Sequence, residues 1–260
     1  MLCKSGLAIG LLCGLALLPV SVQAAPRPVQ IAQAAAPAEL QKTLADLDAA
    51  ASRRDLAAVI KFYGANFTTA DGLNRQALEE ALKKLWQDYQ TLTYKTEINS
   101  WKATNDGFIA NVTTTITGTE TTAERTLTLK STLKAEQQLV GQTIVSQNIL
   151  SENSQVTSGE APPTVQMSLP TEVKVGQDYN LDVVVQEPLQ DSLLVGTATE
   201  TAVTPEAYLK SPKLELELLS AGGIFKLGKA PSQPGDRWIS IALIRDSGIT
   251  LITQRLKVVK

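Results

Sequence analysis

Residues 61–86, KFYGANFTTADGLNRQALEEALKKLW, contain most of the side chains in this chain that could contact a ligand. Tyr63, Phe67, Trp86 and the nearby Tyr89 could line a pocket, with the tyrosine hydroxyls as polar handles, because small-molecule sites are largely apolar and aromatic. Rings at helical spacing also form the core between helices and a sheet. We therefore treat these four as candidate binding residues, with core packing as the alternative.

Asp71 is the carboxylate of this stretch, and it precedes Gly72. Asp-Gly is first of all a turn dipeptide, so the pattern predicts a solvated turn residue. Glu97 has the opposite strand parity to Ile98 and should point away from the helices. The pattern puts no carboxylate on the inward face of the strands, where a general base would reach a substrate. We predict no catalytic residue, with Asp71 as the alternative.

Histidine and cysteine limit the available chemistry. The chain contains no histidine, and both of its cysteines, Cys3 and Cys13, lie near the start. This excludes Ser-His-Asp and Cys-His catalysis and zinc sites built on these residues, so we expect no metal and no cofactor. With a formal net charge of -2 and no basic run, the chain offers no surface suited to nucleic acid.

The first 24 residues have the pattern of an export signal. Lys4 is followed by the apolar run of residues 6–20 and by a cleavage-like sequence at residues 22–24. We expect cleavage and export to the periplasm, the thylakoid lumen or the cell exterior. An uncleaved membrane anchor is the alternative. Residues 25–38, rich in Ala and Pro, are predicted to be a disordered tether.

The pattern from residue 39 onward predicts two domains. Apolar residues at helical spacing predict three helices, with Asp55 and Asn74 as caps of the second and third. A change to alternating apolar residues after Leu92 predicts an antiparallel sheet. We therefore predict an α+β cone at residues 39–153, a linker at 154–164 and an all-β sandwich at 165–260. The strand Ser240–Ile244, apolar on both faces, should be central.

Residues 39–153 resemble the NTF2-like (SnoaL-like) superfamily. The likeness lies in the element order, in FYGANF at residues 62–67, in the loop at Asp71-Gly72 and in the Trp-x-x-Tyr that starts at Trp86. The family includes isomerases, cyclases, dehydratases and non-enzymatic binding modules. The resemblance implies a fold of three helices on a curved sheet and, for an enzyme, Asp71 as base with Tyr63 or Tyr89 as acid.

Residues 165–260 resemble an immunoglobulin-like β-sandwich without the Cys-Trp-Cys core of antibody domains. A signal peptide followed by these two domains is similar to exported bacterial proteins, among them cyanobacterial ones. We expect a non-catalytic exported binding or assembly module with a protein partner or a small apolar ligand. The alternative is a small-molecule isomerase or dehydratase of the SnoaL-like type.

Two rows of threonines stand on one predicted sheet face. They comprise Thr113, Thr115 and Thr117 in one strand and Thr126, Thr128 and Thr132 in the next. Threonine forms strands well and tolerates water, so a solvated face is expected. A homodimer or interdomain interface through this face is the functional alternative.

Overall fold

The computed structural model describes residues 35–190, 192–210, 214–219, 222–246 and 248–260. The predicted signal peptide and most of the predicted tether lie outside these residues. No helix within the described ranges is long and apolar enough to cross a membrane.

Three α-helices open the described part of the chain. They are α1 (Ala38–Ser52), α2 (Leu56–Lys61) and α3 (Arg75–Asp88). Asp55 Oδ1 accepts a hydrogen bond from the Ala58 backbone N–H at 3.0 Å, and Asn74 Oδ1 accepts one from the Ala77 N–H at 2.9 Å. Each cap satisfies a backbone donor that the first helical turn leaves free, which confirms both predicted caps.

Most of the remaining chain is β-strand. The strands of the first part are β1 (Tyr63–Thr69), β2 (Thr91–Ala103), β3 (Gly107–Thr121), β4 (Thr126–Val140) and β5 (Thr143–Ser158). Those of the second part are β6 (Val165–Ser168), β7 (Glu172–Lys174), β8 (Asp178–Val185), β9 (Leu194–Ala202), β10 (Glu217–Leu218), β11 (Gly223–Lys229), β12 (Arg237–Arg245) and β13 (Gly248–Val259). A short 3₁₀-helix, η1 (Ala207–Leu209), lies between β9 and β10.

The predicted fold of a cone followed by a separate sandwich is wrong. Ten strands form one sheet in the order β10-β9-β12-β13-β5-β4-β3-β2, with β1 paired to β5 and β7 paired to β13. Strands β11, β8 and β6 form a second, three-stranded sheet. Strands β9, β12 and β13, which lie within the predicted sandwich, therefore continue the sheet of the first part. The central position predicted for Ser240–Ile244 is confirmed, since β12 lies between β9 and β13.

Strand β5 joins the two parts of the large sheet. It continues to Ser158, through the first five residues of the predicted linker, and residues 153–158 pair with residues 249–254 of β13. Sequence composition did not show this because Asn, Ser and Gln suit a loop as well as a strand whose backbone is already paired. That the two parts fold independently stays a prediction.

The ten-stranded sheet buries opposite faces at its two ends. Directly paired residues point to the same side of a sheet, and successive residues in a strand point to opposite sides. One row of paired residues crosses β2, β3, β4, β5, β13, β12 and β9: Tyr94, Ile116, Ser131, Ser154, Thr253, Ser240 and Thr199. We call the side that carries this row the inner face.

At the first end, the inner face packs against the helices. Leu44, Leu47, Trp86 and Val112 belong to this core. At the second end, the neighbouring residues Ile241 and Ile252 point to the opposite side, where they form a second core with the three-stranded sheet. The inner face of β9, β12 and β13 is thus left outside both cores.

Candidate functional site

A cavity of about 440 Å³ lies between α3 and the inner face of the sheet. Its lining combines apolar residues of both layers, chiefly Leu78, Leu82, Leu85, Tyr94, Ile116, Leu129 and Leu133. Lys84 and Lys210 also line it. We call this space the mouth cavity. Its volume and composition are typical of small-molecule sites.

A second cavity, of about 160 Å³, adjoins the mouth cavity on the side of α1 and α2. We call it the deep chamber. The two cavities share the lining residues Leu82, Tyr94, Ile116 and Leu133. A single ligand could therefore extend from one into the other along this common wall.

A third cavity, of about 480 Å³, lies on the inner face of β9, β12 and β13, next to the η1 segment. We call it the side cavity. It shares Glu152, Ser154, Tyr208 and Lys210 with the mouth cavity. Tyr208 of the η1 segment and Lys210, which follows it, therefore border both spaces.

Arg255 is the centre of a buried charged cluster beside these cavities. The residue is only 2% exposed. Its Nη1 donates to Asp71 Oδ1 at 2.9 Å and to Asp236 Oδ2 at 3.0 Å, and its Nη2 donates to Glu152 Oε2 at 3.1 Å. Nη2 also donates to the Tyr208 hydroxyl at 3.0 Å. One guanidinium thus donates hydrogen bonds to three carboxylates, which come from both parts of the chain.

Two aromatic residues complete the cluster. The Tyr208 hydroxyl donates to Asp71 Oδ2 at 3.1 Å, and Trp238 Nε1 donates to Glu152 Oε2 at 2.9 Å. The two rings pack edge to face with their centroids 4.7 Å apart. Hydrogen bonds to charged groups are the stronger kind, so these contacts position η1 firmly over the inner face.

The surroundings of Arg255 and Tyr208 shift the pKa of both residues. Burial alone would lower the pKa of Arg255, but the nearby oxygens of Tyr208, Glu152 and Asp71 outweigh it, so the pKa of this guanidinium is raised. Burial raises the pKa of the Tyr208 hydroxyl well above its usual value of 10.0. Arg255 is therefore a permanent cation and Tyr208 a neutral donor.

The prediction that Asp71 is a solvated turn residue is wrong. Its side chain is only 8% exposed. The turn itself is present, since Gly72 has a φ of 84° and its N–H donates to the Thr69 carbonyl oxygen at 3.0 Å. The carboxylate is buried because Arg255, 184 residues later, binds it. Local turn chemistry cannot reveal such a distant partner.

Of the candidate binding residues, Tyr63 lines the deep chamber. It is the first residue of β1 rather than part of the helix before it, because its backbone pairs with Ile144 of β5. Phe67 is buried, and its ring packs edge to face on Tyr63 at 4.8 Å between centroids. Phe67 is not among the lining residues of the three cavities.

Trp86 is 8% exposed and belongs to the core under the helices. Its Nε1 donates to the Tyr94 hydroxyl at 3.0 Å. Tyr89 follows α3 directly and is partly buried against the same core. Neither Trp86 nor Tyr89 is among the lining residues of the three cavities. Tyr94, which is not among the candidate binding residues, lines two of them.

Sequence reasoning missed Glu152, Tyr208, Trp238 and Arg255. Glu152 gives no sequence signal because it stands next to the predicted linker, where polar residues are expected. Arg255 can be recognised in the sequence, because it is a charged residue in the largely apolar strand β13. The residue that follows it, Leu256, is fully buried. A charge in such a strand predicts a buried partner, although not which one.

The threonine rows and Glu97 lie on the outer face of the sheet. Thr115 pairs with Thr132, and Thr119 pairs with Thr128, so the predicted common face is confirmed. Glu97 also points away from the helices and pairs with exposed Lys95 at 2.7 Å. Among the described residues, no group of three or more His, Cys, Asp or Glu side chains is arranged to hold a metal ion.

Comparison with known proteins gives partial matches. A family described as a domain of unknown function (DUF8623) matches residues 160–259. No curated protein matches the sequence. The solved structures that resemble this chain include NTF2-like, ketosteroid isomerase-like and scytalone dehydratase-like folds, and the likeness covers 42–43% of the chain.

Three similar structures illustrate the range of identity, TM-score and coverage. Bd1075 from Bdellovibrio bacteriovorus is 14% identical, with a TM-score of 0.32, and the match covers 42% of this chain but only 38% of that one. A candidate scytalone dehydratase from Novosphingobium aromaticivorans is 10% identical, with a TM-score of 0.34 and coverages of 43% and 80%. An NTF2-like protein of unknown function from Cytophaga hutchinsonii is 11% identical, with a TM-score of 0.26 and coverages of 42% and 87%. All three identities are below 25% and all three TM-scores are below 0.5, so these likenesses say nothing about binding or catalysis.

Proposed function

We propose that this protein is a non-catalytic binding module that holds an elongated, largely apolar small molecule in the mouth cavity and the deep chamber. The observation that carries the proposal is the shared wall of Leu82, Tyr94, Ile116 and Leu133, along which the two cavities adjoin. The mouth cavity alone lies within the usual size range of ligand pockets, roughly 300 to 1,000 Å³.

The state of the nearby carboxylates supports binding rather than proton abstraction. Both oxygens of Asp71 accept hydrogen bonds from Arg255 Nη1, at 2.9 and 3.0 Å. A general base must reach a substrate proton with a free lone pair, whereas the Asp71 oxygens are directed to the guanidinium. The tyrosine beside Asp71 is Tyr208, whereas Tyr63 lines the deep chamber and Tyr89 lines neither cavity.

Export of the module is part of the proposal. Its support is the Lys4, apolar run and cleavage-like sequence of the first 24 residues. The mature protein would then begin near Ala25. Intact-mass measurement of the exported protein tests this, and a mass that still included residues 1–24 would rule it out.

Binding can be tested with N-phenyl-1-naphthylamine, a neutral apolar dye that fluoresces on leaving water. We expect the full-length protein to bind it saturably. Leu82→Trp replaces an aliphatic side chain of the shared wall with a large indole ring and should weaken dye binding about tenfold or more. Leu227→Trp, at a position that is 73% exposed in β11, is the matched control and should leave binding unchanged.

Circular dichroism would establish that both variants are folded. Dye binding that is absent from the wild type, or equal in the two variants, would contradict the proposal.

A further inference from the structure

The deep chamber contains an amide oxygen without a partner. Gln137 of β4 is 6% exposed and lines the chamber. Its Nε2 donates to Gln147 Oε1 at 2.9 Å, while its Oε1 accepts no hydrogen bond from any described residue. An unsatisfied buried acceptor destabilises the protein, so a ligand that satisfied it would gain affinity.

Two tyrosine hydroxyls line the same chamber. No hydrogen bond among the described residues involves the Tyr63 hydroxyl. The Tyr94 hydroxyl accepts from Trp86 Nε1, and its own proton has no acceptor in the described part of the chain. Both groups are therefore free to donate a hydrogen bond to a ligand.

The charges around the chamber favour a neutral group. Burial raises the pKa of both Tyr63 and Tyr94 above 10.0, so each is a neutral donor at neutral pH. For Tyr63, the nearby Tyr94 and Asp48 raise the pKa further. The described lining includes no lysine or arginine. The Asp48 carboxylate is not itself a lining residue, but it is close enough to raise the pKa of Tyr63 and would repel an anion.

We propose that the deep chamber binds the neutral hydroxyl group of a ligand whose apolar chain extends into the mouth cavity. This rests on the proposed function and specifies the ligand class. A hydroxyl can accept from Tyr63 and donate to Gln137 Oε1 at the same time. Rotating the Gln137 amide by half a turn would exchange its donor and acceptor, and a hydroxyl would match either arrangement.

A carboxylate or a purely apolar end fits less well. A carboxylate has no proton to give Gln137 and would lie near the negative charge of Asp48. An alkyl halide would fill the space but leave the polar groups unsatisfied. Of the two lysines of the mouth cavity, Lys84 lies 3.6 Å from Asp88, so Lys210 is the one that could instead hold the carboxylate of a reversed fatty acid.

The test is displacement of N-phenyl-1-naphthylamine from the full-length protein by 1-decanol, 1-chlorodecane and decanoate. We expect 1-decanol to compete about tenfold better than 1-chlorodecane, the usual effect of one well-formed hydrogen bond, and decanoate to compete more weakly than 1-decanol. Gln137→Met keeps the side-chain length and should remove most of the preference for the alcohol. Gln138→Met, on the exposed face of the same strand, is the matched control and should preserve it.

The outcomes separate the two proposals. If none of the three compounds displaced the dye, the proposed function itself would fail. If all three competed equally, or if Gln137→Met kept the preference for 1-decanol, binding would stand but hydroxyl recognition would be overturned. Hydroxyl recognition would also be overturned if decanoate bound more strongly than 1-decanol and Lys210→Ala abolished that advantage. Such a result would place the polar end of the ligand in the mouth cavity.

Discussion

The two ends of the ten-stranded sheet bury their apolar residues on opposite faces. At the end formed by β2, β3 and β4, three helices cover the inner face and leave cavities beneath them. At the end formed by β9, β12 and β13, the three-stranded sheet covers the outer face. One sheet can thus carry two separate cores, and the inner face at the second end is free for other contacts.

The change of face creates a seam at β5 and β13, and this seam is polar. Ser154 pairs with Thr253 at the middle of the seam, and Arg255 lies two residues further along β13. The Arg255 cluster lies beside this pair and connects Asp71 and Glu152 of the first part to Asp236 and Tyr208 of the second.

The largest effect is expected from Trp86→Ala, which tests the helix-covered end. The variant removes a buried ring and leaves the Tyr94 hydroxyl without its donor. The free energy of unfolding should therefore fall by about 3 to 5 kcal/mol. Urea denaturation of the full-length protein measures this. Phe225→Ala, at a position that is 55% exposed, is the control and should change stability by no more than about 0.5 kcal/mol. Unchanged stability of Trp86→Ala would mean that Trp86 is not part of the core.

Arg255→Met tests the seam and should have a somewhat smaller effect. Methionine keeps part of the side-chain volume but leaves three carboxylates without their common cation. Breaking a buried ion pair typically costs about 3 to 5 kcal/mol, and we expect about 3 because Glu152 and Asp236 retain some contact with water.

Arg125→Ala, in an exposed turn, is the matched control for a lost arginine. Urea denaturation that gave the two variants equal stability would show that the cluster does not hold the seam together.

The smallest expected effect is a pH dependence of stability that arises at the contact between α1 and β2. Asp48 Oδ1 accepts from the Thr96 hydroxyl at 2.7 Å. Burial raises the pKa of Asp48 above its usual 3.8, although the hydrogen bonds from Thr96 oppose this. The folded state then holds the proton more tightly than the unfolded state. This contribution to stability is present below pH 3.8 and is lost as the pH rises through the folded-state pKa.

Asp48→Asn should therefore gain stability relative to the wild type as the pH is raised from about 3 to about 7. Thermal unfolding across this range measures the difference between the two proteins. Asp46→Asn, on the exposed side of the same helix, controls for the loss of a charge. A constant difference between wild type and Asp48→Asn at every pH would refute the assignment.

Local elements of the fold followed from the sequence because short-range physics determines them. The caps at Asp55 and Asn74 act within three residues of each helix start. The alternation after Leu92 predicted an antiparallel sheet, and in β3 the alternate residues Ala110 and Val112 are indeed buried. Strand β1 was missed because its apolar residues continue the spacing of α2, and only its pairing with β5 makes it a strand.

What the sequence by itself determined is therefore the helices, the alternating strands and the residues that could be buried. The tertiary structure decided which strands share a sheet, which face each end buries and which polar groups meet. Asp71 has the local sequence of a solvated turn residue and became buried because Arg255 binds it. Gln137 and Tyr63 are far apart in the chain and came to line one chamber. Such pairings depend on contacts between distant segments, whose free energy is not encoded in the local spacing of either partner.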